Sequence, residues 1–418
     1  MNKGQETPAA RWTRRRFLAA ALGGAAMILQ ACRRSRPSPT PTPTRTPSPR
    51  PTGTPALRPV ASSTPVPPAS TPAPATGTPQ TTPGGPSPTA SASATVTPTP
   101  SATPFPPGPP SKLGLFVGYH HPRLFDLLRT GNVALVKTLE YDPNFVADIK
   151  RISPSTLVVA RYTPLPLPNL ASWNPIEAAR RFADRLLPIA TEPRRLAAID
   201  AWEAYNEPAP GNAEQMAALA TFEAERTRLL AAAGVRSCVG NFSTGQPPLE
   251  LWPAFTPALQ AVQEQGGYLG LHEYSAPYLW FASGPHQLQA GGDEGDEGWL
   301  TLRYRKVYRR YLQPAGLQVP LLITETGVDG QVRDRPGPDG RGWQDFASFW
   351  RAEGAMSTTA EGFYMEQLAW YDAELAKDGY VKGTAIYALA GPAGWESYEI
   401  LGPAADILHQ YLAVHPSR

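Results

Sequence analysis

Two glutamates in this 418-residue chain each stand at the end of an apolar run, beside small polar residues. Glu207 lies in the segment Asn206-Glu207-Pro208, directly after the run at residues 198–205. Glu325 ends the run at residues 320–325 and is followed by Thr-Gly. Two carboxyl groups that face each other can serve as general acid, general base or nucleophile. For Glu207 a surface turn is the alternative, because Asn and Pro are common turn residues.

The elements that would position these groups follow a regular alternation from residue 112 to the C-terminal end. Apolar runs predict eight strands, at residues 113–118, 133–139, 156–161, 198–205, 235–241, 268–274, 320–325 and 383–389. Helices are predicted at residues 122–129, 143–152, 174–187, 212–233, 256–265, 298–312, 361–377 and 404–413. Apolar strands flanked by helices are typical of a parallel sheet, and eight such units predict an α/β fold, the (β/α)8 TIM barrel. A doubly wound open sheet is the alternative, although no Gly-rich phosphate loop follows any run.

In such a barrel the chemistry lies at the carboxyl ends of the strands. Polar and aromatic residues are concentrated there: His120, Arg161, Asn206, Glu207, His272, Tyr274, Glu325 and Trp395. Glu207 and Glu325 follow strands four and seven, so they are expected to face each other across the barrel mouth. A retaining glycosidase needs such a pair, one carboxylate to attack the anomeric carbon and one acid to protonate the leaving oxygen.

This arrangement resembles that of the clan A glycoside hydrolases, the cellulase- and xylosidase-like retaining glycosidases. Their shared pattern is Asn-Glu-Pro after strand four and a Glu at the end of strand seven, and the resemblance covers residues 112–418. It implies that Glu207 is the general acid/base and Glu325 the nucleophile. It also implies that Asn206 binds the sugar 2-hydroxyl group.

The resemblance extends to side chains around the two carboxylates. It implies that Tyr274 holds the nucleophile, that His272 lines the same site, and that Trp395 forms an apolar floor under the sugar. Arg161 is a departure, since many clan members carry a histidine at the end of strand three, and this leaves the family and the sugar open. His120 is a further candidate for substrate contact, with a rim histidine bonded to backbone as the alternative.

Other acidic residues receive structural interpretations. Glu203, inside a predicted strand, is expected to pair with a base such as Arg161. Glu273 lies between His272 and Tyr274, so strand alternation sends it to the opposite face. The acidic segment 293–297 lacks the spacing of a Ca²⁺ loop and predicts a solvated turn. No His/Cys cluster indicates zinc or iron, and we expect neither a metal nor another cofactor.

Two long loops carry aromatic side chains that either line outer sugar subsites or pack over the barrel. The sequence leaves both readings open. These side chains are Tyr278, Trp280, Phe281, Trp343, Phe346, Phe349 and Trp350.

The first 111 residues indicate export. Residues 1–32 contain a twin-arginine-like motif, a 13-residue apolar core at 17–29 that is too short to span a bilayer, and a segment that resembles a lipobox, ending at Cys32. Lipid attachment at Cys32 is therefore predicted, with an ordinary signal peptide and a stray cysteine as the alternative. Residues 33–111 are rich in Pro, Thr and Ser and predict a disordered stalk.

Charge and cysteine usage limit the partners of the remaining domain, residues 112–418. Residues 1–111 hold 11 of the 38 Lys and Arg but one of the 35 Asp and Glu, so the domain carries a net charge of −7. The overall positive charge of the chain therefore comes from residues 1–111 and is no evidence for nucleic-acid binding. Cys238 is the single cysteine of the domain, and a buried inert thiol is expected.

The sequence thus predicts a lipid-anchored, stalked, monomeric enzyme outside the cytoplasm. It would hydrolyse O-glycosidic bonds of an extracellular polysaccharide or oligosaccharide by double displacement. Its partners would be a carbohydrate and, through Cys32, the membrane. Two alternatives remain, a non-catalytic carbohydrate-binding barrel and a structural surface barrel, each displayed on a stalk.

Overall fold

Eight parallel strands close into a barrel in chain order. The computed structural model of the protein describes residues 105–283, 295–356 and 359–416. The strands are β1 (Leu113–Val117), β2 (Leu135–Thr138), β3 (Leu157–Arg161), β4 (Ala201–Glu203), β5 (Ser237–Phe242), β6 (Tyr268–Ser275), β7 (Leu321–Val328) and β8 (Val381–Ala390). The predicted (β/α)8 TIM barrel is confirmed. The predicted signal peptide and nearly all of the predicted stalk lie outside the described residues.

Helices cover the outside of the barrel between successive strands. The α-helices are Pro122–Leu128, Pro143–Ile152, Pro175–Ala190, Pro193–Ala198, Ala213–Ala231, Thr256–Gln265, Arg303–Val307, Ala347–Ala352, Ala360–Leu375 and Pro403–Ala413. Shorter 3-10 segments lie at Leu249–Phe255, Trp343–Phe346 and Glu396–Tyr398, and a π-helical turn lies at Tyr308–Leu312. The helix starts predicted at Asn174 and Asn212 are confirmed. The side-chain oxygens of these residues accept backbone N–H groups at the starts of the helices Pro175–Ala190 and Ala213–Ala231.

One predicted helix begins later than expected. The segment 298–312 becomes helical only at Arg303, because Gly298 forms a β-bridge with Ser283. Leu302 then adopts a left-handed conformation with φ 60°. The carboxylate of Glu273 accepts the backbone N–H of Leu302 at 2.7 Å and that of Tyr304 at 3.0 Å, which fixes the start of the helix.

The strands are buried on both faces, as expected for a sheet that separates a barrel interior from a helical layer. Side chains such as Phe116, Leu135, Val159 and Leu322 fill the interior. The larger core lies between the strands and the surrounding helices. Cys238 is buried with a free thiol, and burial raises its pKa well above the usual range, in agreement with the predicted inert role.

Among the buried acids, Glu203 has a different partner from the one predicted. Its carboxylate forms an ion pair with Lys137 of β2, and both side chains are fully buried. The prediction of Arg161 is therefore wrong: Lys137 projects from β2 into the barrel interior, whereas Arg161 reaches the two groups described below. Glu273 lies on the outer face, as alternation predicts, where it also accepts a hydrogen bond from Tyr371.

The predicted solvated turn at residues 293–297 is wrong for Glu297, whereas Asp296 lies in a turn with its side chain 44% exposed. Glu297 is buried and pairs with Lys306 at 2.8 Å. Asp296 accepts two hydrogen bonds from the Arg309 guanidinium. Bases from the following helical segment therefore neutralise these acids, while residues 293 and 294 lie outside the described part of the chain.

Within the described residues, no helix has both the length and the apolar character needed to cross a bilayer.

Candidate active site

The loop after β4 places Glu207 at the mouth of the barrel. Glu207 has a left-handed backbone conformation, with φ 47°, and so does Asn241 near the end of β5, with φ 50°. The Glu207 N–H donates to the Asn241 carbonyl at 3.1 Å, which ties this loop to the neighbouring strand. Left-handed non-glycine residues are uncommon and concentrate at functional sites. Asn206-Glu207-Pro208 is thus a fixed strand end, and the Glu207 side chain is 34% exposed.

Strand pairing brings Glu325 to the same place. A register shift between β6 and β7 pairs Leu271 with Ile323 and then His272 with Glu325, so Thr324 is an extra residue on β7. His272 and Glu325 consequently project from the same face of the sheet, toward the barrel interior. The Glu325 side chain is only 9% exposed.

Three donors surround the Glu325 carboxylate. The Tyr274 hydroxyl donates to Oε2 at 2.9 Å, and Arg161 Nη1 donates to Oε1 at 3.1 Å. Lys137 Nζ lies 3.9 Å from Oε1. Burial by itself raises the pKa of Glu325, but the charges of His272, Lys137 and Arg161 and the Tyr274 hydrogen bond outweigh it, so the pKa lies below its ordinary value. Glu325 is therefore held as a carboxylate.

His272 links the two acids. Its Nδ1 lies 2.8 Å from Glu207 Oε1 and 3.5 Å from Glu325 Oε2. One oxygen of each carboxyl group and this nitrogen all lie within 4.8 Å of one another. Glu207 and Glu325, the two predicted catalytic residues, thus lie close together. The alternative for Asn206-Glu207-Pro208, a surface turn in which Glu207 has no fixed relation to Glu325, does not describe this loop.

The same three atoms are also close enough together to contact one metal ion. The oxygens of Glu325, however, already accept hydrogen bonds from Arg161 and Tyr274. A cationic guanidinium beside the carboxylate disfavours a second cation there. The donor set therefore fits an ion-paired carboxylate better than a metal ligand.

The two carboxyl groups open into a cleft with about 680 Å³ of open space. Its lining combines polar and aromatic residues: Arg161, Asn206, Glu207, Tyr274, Glu325, Asp329, Gln331, Tyr387, Pro392, Trp395 and Tyr398. Trp395 is half-buried, and its ring lies 5.8 Å from that of Tyr387 in an edge-on arrangement. An aromatic floor beside polar groups suits a ligand with C–H faces and hydroxyl groups, as a sugar has.

Most of the predicted site residues line this cleft, with two exceptions. His272 contacts both acids, but its side chain is fully buried and does not line the cleft. Arg161 Nη1 also hydrogen-bonds Asn206 Oδ1, so the arginine at the end of β3 joins the loop of Glu207 to Glu325. His120 is exposed and lies outside the cleft lining, with its ring 5.3 Å from Phe125 and from Phe145. The neighbouring His121 accepts the Arg123 backbone N–H at 3.2 Å and caps a helix.

Several cleft residues were not predicted from the sequence. Lys137 and Tyr387 lie within predicted strands, and a lysine inside an apolar strand was an available signal of a buried ion pair. Asp329 and Gln331 follow β7 in a loop and Tyr398 ends a short 3-10 segment after β8, where no periodicity shows which side chains turn inward.

The aromatic loops pack on the protein itself. Tyr278 stacks on Trp280 at 5.5 Å, and Trp343 stacks on Tyr364 at 5.1 Å. Trp350 Nε1 donates to the carbonyl of Pro277 at 2.8 Å, which joins the two loops. In the described part of the chain, none of the aromatic residues named for these loops lines the cleft. The structure thus favours packing over the barrel.

No protein-family model matches the chain, and no curated protein matches it. Solved structures with similarity include a GH128 (subgroup II) endo-β-1,3-glucanase from Sorangium cellulosum, at 18% identity over 73% of this chain and 100% of that chain, with a TM-score of 0.38. A β-glucuronidase from Ruminococcus gnavus is 14% identical over 73% of this chain and 50% of that chain, with a TM-score of 0.47. A β-1,3-glucanase and allergen of Cryptomeria japonica pollen is 15% identical over 69% of this chain and 95% of that chain, with a TM-score of 0.40. The chain spans about half the length of the β-glucuronidase.

Proposed function

We propose that this protein is a retaining glycoside hydrolase with Glu325 as nucleophile and Glu207 as general acid/base. One observation carries the proposal: an oxygen of Glu207 and an oxygen of Glu325 lie within 4.8 Å of each other at the barrel mouth. Retaining glycosidases hold their carboxyl groups about 5–5.5 Å apart, whereas inverting ones leave about 6.5–9.5 Å for a water molecule. The approach of these two oxygens agrees with the closer, retaining arrangement, in which Glu325 itself attacks.

In the first step, Glu325 attacks the anomeric carbon while the bond to the leaving oxygen breaks. Glu207 gives its proton to that oxygen, and a glycosyl ester forms on Glu325. The lowered pKa of Glu325 keeps the nucleophile ionised, and burial limits competition from water. Tyr274 and Arg161 hold its two oxygens in place.

In the second step, water replaces Glu325 at the anomeric carbon. Glu207, now a carboxylate, takes a proton from that water, and Glu325 leaves as a carboxylate. Two displacements at one carbon restore the original configuration. His272 contacts both acids and keeps Glu207 directed at the reacting carbon throughout.

The cleft favours a carbohydrate as the molecule that is cleaved. Trp395 and Tyr387 offer ring surfaces for the C–H faces of a sugar, and Asn206 stands beside the acid/base as a partner for a sugar hydroxyl group. The proposed substrate is a polysaccharide or oligosaccharide with an O-glycosidic linkage.

Export and anchoring belong to the same proposal and rest on the sequence alone. The twin-arginine-like signal at residues 1–32, lipid attachment at Cys32 and the Pro/Thr/Ser-rich stalk at residues 33–111 would display the barrel outside the cytoplasm. The barrel would act there as a monomer on extracellular glycans. The net charge of −7 on residues 112–418 agrees with a partner other than nucleic acid.

A glycan hydrolysis screen tests the function. The wild-type protein should release reducing sugar from at least one glycan, and Glu325→Gln should lower that rate by about 1,000-fold or more, because the nucleophile is lost. Glu214→Gln changes an exposed glutamate of a neighbouring helix outside the cleft and serves as the matched control with unchanged activity. Glycan binding without any hydrolysis would instead support a carbohydrate-binding barrel, and neither binding nor hydrolysis would support a structural one.

A further inference from the structure

Asp329 is a third carboxylate of the cleft, and the proposed reaction does not use it. It lies in the loop after β7, four residues beyond Glu325, and its N–H donates to the Ser275 carbonyl at 3.1 Å. The Tyr398 hydroxyl donates to Asp329 Oδ1 at 2.7 Å, and the Gln331 N–H donates to the same oxygen at 2.8 Å. The loop and both donors thus hold the carboxylate at the cleft wall.

Both of these hydrogen bonds fall on Oδ1. A carboxylate has about four lone-pair positions, so Asp329 keeps acceptor capacity on Oδ2. Tyr398, which holds Asp329, also packs against Trp395, with ring centroids 5.3 Å apart. A sugar stacked on Trp395 therefore lies beside a carboxylate that can accept one of its hydroxyl groups.

The cleft wall holds more acids than bases. Among the described residues of the lining, Glu207, Glu325 and Asp329 are acids, and Arg161 is the cation. Glu207 carries a proton before the reaction, so the charged acids are Glu325, which is paired with Arg161, and Asp329. Arg161 is already bonded to Glu325 and Asn206.

Three further cations stand nearby and are also engaged. Arg335, whose charge interacts with Asp329, donates to the Gly330 carbonyl at 2.6 Å. Lys137, behind Glu325, pairs with Glu203. Arg341 lies at the rim over the Trp395 ring and donates to the Gly394 carbonyl at 2.6 Å. Burial raises the pKa of Asp329 above its ordinary value, although hydrogen bonds from Tyr398 and Gln331 lower it.

We propose that Asp329 accepts a hydroxyl group of the sugar beside Trp395 and restricts the cleft to neutral sugars. A carboxylate or sulfate on that sugar would face the carboxylates of Asp329 and Glu325, and each cation near it already has a partner. Juxtaposed like charges suppress wrong partners, and a site built to bind a hydroxyl group discriminates strongly against an analogue that lacks it. The inference rests on the proposed glycosidase function and narrows its substrate class.

Paired substrates test the inference. Aryl glucosides and aryl glucuronides differ only at carbon 6, as do galactosides and galacturonides, and neutral glucans, xylans and mannans can be set against polyuronides. In whichever pair is cleaved, the wild-type protein should prefer the neutral member by about 100-fold or more in kcat/KM. Preferential cleavage of the uronic member would overturn the inference and leave the glycosidase function intact.

Substitution of Asp329 shows whether this residue determines substrate preference or only supports the loop. Asp329→Asn should lower kcat/KM for the neutral substrate about 10- to 100-fold, which is the effect of losing a hydrogen bond to a charged group. It should change the rate for the uronic substrate less, so that the preference shrinks at least tenfold. Tyr398→Phe removes a donor to Asp329 without changing charge and should keep the preference.

Two cases remain, a purely structural role of Asp329 and a protein that cleaves none of the substrates. If Asp329→Asn lowers both rates equally and also lowers the melting temperature, Asp329 only supports the loop and the inference fails. If no substrate is cleaved, calorimetric titration of the wild-type protein with neutral and uronic oligosaccharides decides it. Tighter binding of the neutral ligand would then support the inference although the proposed hydrolysis fails, and tighter binding of the uronic ligand would overturn it.

Discussion

Replacing Tyr274 by phenylalanine is expected to move the acidic limb of the kcat/KM profile to higher pH. The Tyr274 hydroxyl is buried and donates to Glu325 Oε2 at 2.9 Å, and phenylalanine keeps the ring while removing this donor. A hydrogen bond to a charged group contributes about 1.5–3 kcal/mol. Since 1.36 kcal/mol corresponds to one pH unit, the pKa of Glu325 should rise by about 1–2.

The direction follows from the role of Glu325. The proposed nucleophile would react as a carboxylate, so activity should be lost as the pH falls through the pKa of Glu325. In the wild-type protein that pKa lies below its ordinary value, despite burial, because of neighbouring positive charges and the Tyr274 hydroxyl. Loss of the hydroxyl should therefore bring the decline in activity to a higher pH.

The assay is kcat/KM for an activated aryl glycoside as a function of pH, because this ratio reports ionisation of the free enzyme. Tyr387→Phe is the matched control. The Tyr387 ring lies 6.2 Å from that of Tyr274 in the same cleft, and among the described residues its hydroxyl makes no hydrogen bond to Glu325. An acidic limb that stays in place in Tyr274→Phe, or that moves equally in Tyr387→Phe, would refute the reasoning.

Three other predictions concern stability, metal and anchoring. Burial, partly offset by hydrogen bonds from Tyr371 and backbone N–H groups, raises the pKa of Glu273 to about 7, so stability in denaturant should fall by about 3 kcal/mol as the pH rises from 4.5 to 7. Glu273→Gln should flatten this pH dependence, and an unchanged slope would contradict the assignment. A chelator should leave hydrolysis unchanged, because Glu325 is held by Arg161 and Tyr274, and loss of activity that added metal restores would contradict this. Cys32→Ala should abolish lipidation of the exported protein, whereas a mature N-terminus elsewhere, by mass spectrometry, would exclude the anchor.

Much of the fold could be predicted because parallel strands buried on both faces leave continuous apolar runs in the sequence. The runs at 113–118 and 268–274 match β1 and β6 to within a residue at each end. The start of the helix predicted at 298–312 could not be placed, because it depends on the contact of Glu273 with backbone N–H groups of Leu302 and Tyr304. That contact joins residues about 30 positions apart.

Site residues at the ends of strands could be predicted from the sequence. The partners of buried side chains could not. Glu207, Glu325, His272 and Tyr274 follow from strand order, since carboxyl ends of parallel strands share one rim. The pairing of Glu203 with Lys137 depends on which side chains point inward at one level of the barrel, and several bases were available.

The loops set a further limit on prediction from the sequence. Asp329 lies in the loop after β7 and Tyr398 in a single 3-10 turn after β8, and their contact is visible only once the chain is folded. His120 was predicted but does not line the cleft. Its position after β1 places it near the rim of the barrel, and this does not determine whether its side chain points into the cleft.

The central claim is a glycosyl ester on Glu325, and trapping that ester tests it most directly. In Glu207→Ala, an activated aryl glycoside of a sugar that the wild-type protein cleaves needs no acid to leave, so the ester should form and then persist for want of a base. Peptide mass spectrometry should locate one added glycosyl group on Glu325, and azide should release it. A Glu207→Ala protein that releases the aryl group without any adduct, or that carries the sugar on another residue, would contradict the account.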